Sequence, residues 1–443
     1  MSAGATAAPR GELTARLQAR GIVTAAADWS PAQLVDLGPA APTRLARPES
    51  AAALRDVVVE AGAAGGALLV VGGGTALGLG RPLARADLAL STLGLAGVVE
   101  HSPADFVITV EAGCRLADLQ RELARHRQWL AIEPPDPERV TVGGLVASAA
   151  SSLVASGHGT LRNHLLGVRV LGADGAFAKA GGRVVKNVAG YDLMKMHHGA
   201  LGTLGVVVAA TLRLRPLPAA DLVGWAEAEE TETIVAAADA LAQPGVAAAG
   251  AHFVGPLSAA RVAGDLVVRF QGARAAVLDQ LATVSSALAG RIGEWRREVL
   301  EPEARPARPR PLRQIEQVGS RGDDARTTHL SLHFPPSRLR AVLAALGHFG
   351  TGQVALELLR GTGFLKVTPA GGAEDPLAPG LALLRREFEA LGGMVALRAA
   401  PASIRAAAAR ASPGSGVARL TAALKHELDP RGLLHCGRLG ESA

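Results

Sequence analysis

Cysteine is almost absent from this chain: Cys114 and Cys436 are the only two in 443 residues. That excludes a disulfide scaffold and leaves too few thiolates for an ordinary iron-sulfur cluster, so any such cluster belongs on a partner. Aromatic residues are equally scarce, 3% of the sequence with a single tyrosine, Tyr191. Nucleic-acid binding wants stacking rings beside a basic stripe. The excess of 46 basic over 40 acidic residues is modest and contains no long lysine run, so nucleic acid is not an expected partner. Long apolar runs are missing too. The most apolar stretch, Gly62 to Gly80, is broken repeatedly by glycine, unlike a bilayer helix. The N-terminal MSAGATAAPRGELTARLQARG holds no apolar block of signal-peptide length, so export is not expected. The expectation is a cytoplasmic protein without a transmembrane segment, with peripheral association at the inner face of the membrane left open.

What the chain has in quantity is length, alanine and glycine, 53 of the last. Its length exceeds one ordinary core, so several domains are expected. Residues 1–36 read as an N-terminal helical arm, with Leu13 and Leu17 on one face and Gly21 as its stop. In 37–218, a helix through Val57-Val58-Val59 follows Pro48. Short apolar strands at Ala67 to Val71, Asp87 to Leu90 and Val107 to Val110 come next, with a helix from Arg115 to His126. A hairpin turns at Asp174-Gly175, and a long strand starts at Gly205. After Pro218 the glycine density drops. Alanine-rich helices then alternate with strands such as Leu266 to Phe270 and Leu330 to Phe334, so 219–419 reads as a second α+β domain. Within it 301–314, EPEARPARPRPLRQ, carries four prolines and four arginines and reads as an exposed loop. Residues 420–443 offer a helix to about Leu428, a turn at Asp429-Pro430-Arg431-Gly432, and a tail able to return to the first domain.

The chemistry concentrates in glycine loops. Gly72, Gly73 and Gly74, with Thr75 and Ala76, follow a buried strand, an arrangement that lets backbone N–H groups approach a diphosphate closely. No Gly-Lys-Ser/Thr follows, and the spacing is not that of the dinucleotide fingerprint, so a tight structural turn stays open as an alternative. Glu133-Pro134-Pro135 fixes a turn ahead of Thr141, Val142, Gly143 and Gly144, where missing side chains leave room for a flat ligand. Ser148 and the small residues after it lead to Gly159 and Arg162. Lys186-Asn187-Val188-Ala189-Gly190-Tyr191-Asp192 reads as a hydrogen-bonded locking turn, with catalysis as the alternative. Gly199 to Gly205 turns the chain into the strand beginning at Val206, whose first backbone groups could face a planar ring. His329 and His333 are four apart on an apparent strand, roughly 13 Å, too far to share a metal; no metal site is expected.

Gly72 to Thr75, Thr141 to Gly144, Lys186 to Asp192 and Gly202-Thr203-Leu204-Gly205 together resemble the FAD domain of the vanillyl-alcohol oxidase and p-cresol methylhydroxylase (PCMH-type) flavoproteins, most closely the FAD-binding subunits of glycolate oxidases. The resemblance runs from about Arg47 to Pro218 and returns weakly at Asp429 to Arg438. It implies an α+β fold with a two-part PCMH-type FAD-binding domain and a ferredoxin-like cap. It also implies FAD held noncovalently, since no histidine stands in the first loop. Gly72 to Ala76, Pro134, Thr141 to Gly144, Ser148, Gly159, Arg162 and Val206 are then the candidate cofactor contacts, with no catalytic residue singled out. The implied activity is oxidation of a small 2-hydroxy acid such as glycolate, electrons passing from flavin to an iron-sulfur subunit beside a catalytic flavoprotein subunit. Three departures stand out. Leu201 occupies a place where catalytic relatives usually carry glutamate, the second domain lacks their histidine-rich metal motif, and His435-Cys436-Gly437-Arg438 replaces a common asparagine-proline-glycine-arginine ending. A self-sufficient FAD-dependent alcohol or sugar oxidoreductase and a non-catalytic assembly subunit are the alternatives.

Overall fold

The computed structural model describes residues 10–183, 192–258, 261–300, 308–322, 324–349, 352–368, 377–401, 404–405 and 416–438. The first part of the chain builds two small sheets. One has four strands in the order Thr24–Ala26, Arg44–Ala46, Leu88–Ser91, Leu68–Val71, and its last three are parallel. The other is antiparallel with Val206–Arg213 at its centre, flanked by Val107–Glu111 and Leu165–Leu171. That central strand, VVVAATLR, is buried along nearly its whole length, as a β-branched run covered on both faces should be. Helices Leu116–Ala124 and Val142–Ser148 cover one side of it. On the other side Val206 and Val208 pack with Leu68, Leu88 and Leu90 of the parallel sheet, so the two sheets share a core.

The helix after Pro48 spans Ala51–Ala63. Ser50 rather than the proline starts it, its hydroxyl accepting from Ala53 N at 3.1 Å, the usual means of satisfying a first-turn donor. The N-terminal stretch is part of the body: Leu13 and Leu17 are buried in the shared core, and Thr24–Ala26 pairs with Arg44–Ala46.

From Ala220 onward the chain repeats one βαββαβ pattern twice. The first copy runs through strands Ala220–Ala228, Gly250–Ser258, Gly264–Gly272 and Arg296–Leu300 with helices Thr231–Leu241 and Arg274–Ala287. The second uses Thr328–His333, Gly352–Glu357, Thr362–Val367 and Met394–Ala399 with helices Leu339–Phe349 and Leu377–Ala390. In each copy the strands stand in the ferredoxin-like order fourth, first, third, second. The two second strands pair antiparallel, from His252 opposite Glu357 to Leu257 opposite Gly352, fusing the copies into one sheet. Period-two alternation sorts the faces. Leu222, Phe253 and Leu266 point to the four helices, whereas their neighbours Val223, Val254 and Val267 pack with Leu153 of the first part and with Leu312, Ile315 and Val318.

Those last three residues lie on a helix, Arg310–Gly319, where the sequence suggested an exposed loop over 301–314. Residues 301–307 of that stretch lie outside the described residues. Pro309 and Pro311 flank or occupy the first helical turn, where no backbone donor is lost, and the apolar residues beyond fall at helical spacing on a buried face.

Candidate functional site

The strand Leu68–Val71 delivers Gly72 to Ala76 into a cleft of about 770 Å³ between the two small sheets. Along this strand every second N–H points away from its sheet partner. Leu68 N donates to Leu433 O at 2.6 Å, and Val70 N donates to His435 Nε2 at 3.2 Å. The N–H groups from Gly72 to Ala76 find no acceptor among the described residues. Five successive backbone donors without partners, on the wall of a cleft, form a cradle suited to an anion. The glycines are needed for the opposite side of the loop. A Cβ on Gly72 would strike the Thr141 side chain, and one on Gly73 would strike the Arg139 carbonyl, while Gly74 sits at φ 69°.

Thr141 caps the helix Val142–Ser148, its hydroxyl accepting from Gly144 N at 3.2 Å, while Gly143 N donates to Ala112 O at 2.7 Å. This element therefore supplies surface to the cleft rather than free donors. Its glycines allow close approach: a Cβ on Gly143 would lie 2.8 Å from the Ala112 side chain.

Of the residues singled out from sequence, Gly72 to Ala76, Thr141, Gly143, Gly144, Ser148 and Val206 line this cleft. Pro134 lines a second cavity that shares Thr75, Ala76 and Ser148 with the first. Three fall elsewhere. Val142 is buried in the core beneath the helix. Gly159 at φ 84° ends the short helix Ala155–His158, and Arg162 sits exposed on the next one, away from the walls of either cavity. A positive φ and a nearby arginine look alike in sequence whether they serve a ligand or a helix stop. Lys186 to Tyr191 lie outside the described residues.

The cleft's remaining wall comes from the C-terminal tail. Leu434 bridges to Leu68 in parallel, and His435 N donates to Leu68 O at 2.9 Å, adding a rudimentary strand to the edge of the parallel sheet. His435 and Arg438 both face the cleft. Accepting from Val70 N fixes the proton of His435 on Nδ1, and burial, reinforced by Arg438 and Lys425, pushes its pKa down to about 3. The imidazole is neutral at any physiological pH. Arg438 donates to Leu79 O at 2.7 Å, and burial followed by repulsion from Arg405 lowers it to about 10, so it stays charged. Leu201, at φ 54°, and Gly202 close the cleft opposite, with Gly202 packed on the His435 ring. The sequence signals pointing to this wall were the tail's expected return to the first domain and the weak resemblance at Asp429 to Arg438.

Burial raises Cys114 to about 11, leaving it an inert packing group. His329 and His333 both lie on Thr328–His333, the first buried and the second exposed. Among the described residues no helix is long and apolar enough to cross a membrane.

Donor loop, cleft and cap have the arrangement of a PCMH-type FAD-binding fold, and residues 42–181 match the family described as FAD binding domain. It is similar to glycolate oxidase subunit GlcE of Escherichia coli (strain K12), 34% identical over 156 residues, 35% of this chain and 44% of that protein. A D-lactate dehydrogenase of Archaeoglobus fulgidus is 36% identical over 146 residues, covering 33% of this chain and 32% of its own. The chain thus spans less than half the length of these relatives. Among solved structures, chitooligosaccharide oxidase superposes with a TM-score of 0.68 over 97% of this chain and 100% of its own at 16% identity. Alkyldihydroxyacetonephosphate synthase does so at 0.64 over 89% and 77%, at 13% identity. At such identities the likeness is one of fold, and it extends through the cap.

Proposed function

We propose that this chain is an FAD-dependent oxidoreductase acting on small 2-hydroxy acids of the glycolate and lactate kind, as one subunit of a complex with a catalytic flavoprotein and an iron-sulfur partner. The observation that carries the flavin part is the run of unpartnered N–H groups from Gly72 to Ala76 on the wall of the cleft. The substrate class and the partners rest on the relatives, whose matching segments cover the FAD-binding part.

Bound FAD would supply the hydride acceptor. The chain's own residues do the rest. Gly72 to Ala76 would donate to the diphosphate, Thr141, Gly143 and Gly144 would give a flat floor, and Val206, Val207 and Leu201 would exclude water from the ring. Arg438 sets a fixed positive charge beside the cleft, which favours negative charge developing on the cofactor. The neutral His435 orients the edge of the loop through Val70.

The second reading, an enzyme sufficient by itself, draws support from the cavity that adjoins the cleft beneath the cap, about 420 Å³ and lined from both parts of the chain. Anaerobic mixing of the FAD-loaded chain with glycolate or D-lactate separates the two. Bleaching by the isolated chain favours self-sufficiency. Bleaching only after the neighbouring subunits are added favours the complex. A chain that takes up no FAD at all overturns both.

A further inference from the structure

The cavity adjoining the cleft holds two arginines, and they differ. Arg321 is neutralised: its Nε lies 3.2 Å from Asp36 Oδ2, and its Nη1 donates to Asp324 O at 2.6 Å. Arg398 has no such arrangement. Its guanidinium lies over the face of the Phe364 ring, 5.3 Å from the centroid. Burial alone pushes it down to about 10, with no carboxylate among the described residues acting against it. It keeps partial access to water and lines the cavity with Pro134, Ser151 and Ser320. Asp136, on the same wall, is taken up by the Ser320 hydroxyl. Beside Phe364, the buried His329 has an Nε2 without a partner, and burial followed by repulsion from Arg398 holds its pKa well below the usual value. The nearest imidazole thus adds no charge.

A guanidinium enclosed by protein and left uncompensated is costly unless something anionic arrives to pair with it. Its position relative to the cleft is fixed by backbone packing. Arg398 is the penultimate residue of the strand Met394–Ala399, and its carbonyl abuts Gly78, just beyond the donor loop, so tightly that a Cβ there would collide with it. Thr75, Ala76 and Ser148 line both spaces.

We propose that this cavity is a subsite for a short organic carboxylate, anchored by the guanidinium of Arg398 and presented to the adjoining cleft. The inference rests on reading that cleft as the flavin's. A bidentate pair with the planar fork would fix the carboxylate end. Ser151 supplies polar surface on the walls.

Oxalate is a suitable probe, since it carries the carboxylate but offers no hydride. Its binding to the FAD-loaded protein is read by flavin difference absorbance and by thermal shift, with uncharged oxamide as the control. Arg398→Met should weaken oxalate by about tenfold or more, the value of a charge-assisted pair, while FAD content stays unchanged and oxamide is not bound. Arg398→Lys, which keeps the charge and loses the fork, should fall between, and it carries the test if the methionine variant does not fold. Oxalate affinity unchanged in these variants, no oxalate binding by the parent protein, or loss of FAD in place of oxalate would each overturn the subsite. Turnover is a separate readout. A chain that binds oxalate through Arg398 yet is reduced by no hydroxy acid, alone or with the neighbouring subunits added, keeps the subsite and loses the proposed reaction; hydroxy-acid oxidation indifferent to Arg398→Met does the reverse.

Discussion

Arg269, on the long cap strand Gly264–Gly272, and Glu133, at the head of the Pro134-Pro135 turn, form a two-pronged pair at 2.6 and 3.0 Å with side chains 6% and 5% exposed. Asp221 grips the same guanidinium from the neighbouring strand, its Oδ1 2.7 Å from Nε, and Gln271 links Asp221 onward to His158. The seam between cap and FAD-binding part is therefore held by a satisfied polar network at its centre.

Arg269→Met would leave the buried Asp221 without its guanidinium and Glu133 with Arg308 alone, 3.4 Å away. The expected loss is about 3–5 kcal/mol of stability, read by urea unfolding. Because Glu133 precedes the proline turn lining the second cavity, FAD should be retained better than oxalate. Unchanged unfolding would show that the network adds nothing to cohesion.

The donor loop gives a sharper prediction. Gly73→Ala puts a methyl group into the Arg139 carbonyl, and the loop must shift as a whole. Strain of about 1–3 kcal/mol should appear together with an FAD affinity at least about tenfold lower, measured by titrating apoprotein with FAD. Gly293→Ala, where a methyl would meet nothing within 4 Å, is the control and should change neither.

These two sites mark what was readable from the sequence. The loop was visible because a buried apolar strand running into consecutive glycines has few uses other than close backbone approach. That the glycines make room for Thr141 and Arg139, leaving their donors free on the other side, depends on a segment far along the chain and carries no local signal. The Arg269 network was invisible for the same reason: a lone arginine at an inward strand position reads as an exception to alternation until its partners are known. The helix Arg310–Gly319 was misread because proline was counted without regard to its position in the first turn. Arg398 escaped notice because its defining property is a missing partner, and sequence does not show absence.

The buried Lys425 ties the tail in place. Its ammonium pairs with Asp429 and donates to Thr203 O at 2.9 Å and Leu434 O at 2.7 Å, while Asp429 accepts from Leu433 N and Leu434 N. Lys425→Met strands the carboxylate and frees the tail from the Gly202 turn. Amide exchange at Leu68, whose partner is Leu433 O, should accelerate by about a hundredfold or more if the cost reaches about 3 kcal/mol. Protection at Val110, in the other sheet, should change less.

His435 makes the acid limb of stability testable. Its folded pKa of about 3 lies below the ordinary 6.5, so the unfolded chain takes up the proton first. The stabilisation is complete above pH 6.5 and is lost as pH falls from there toward 3, by about 1.4 kcal/mol per unit. His158, His164, His197, His252 and His329 are shifted the same way by burial and add to the slope, so the informative quantity is a difference. His435→Asn keeps a side chain that tolerates φ 49° and can accept from Val70 N, but it has no proton to gain. Between pH 6.5 and 4.5 its stability should fall less steeply than the parent's by up to one proton's worth, while at pH 7.5 it sits below the parent through lost packing on Gly202. Parallel curves would mean that His435 already carries its proton in the folded protein, and that the tail holds the loop by some contact other than the Val70 amide.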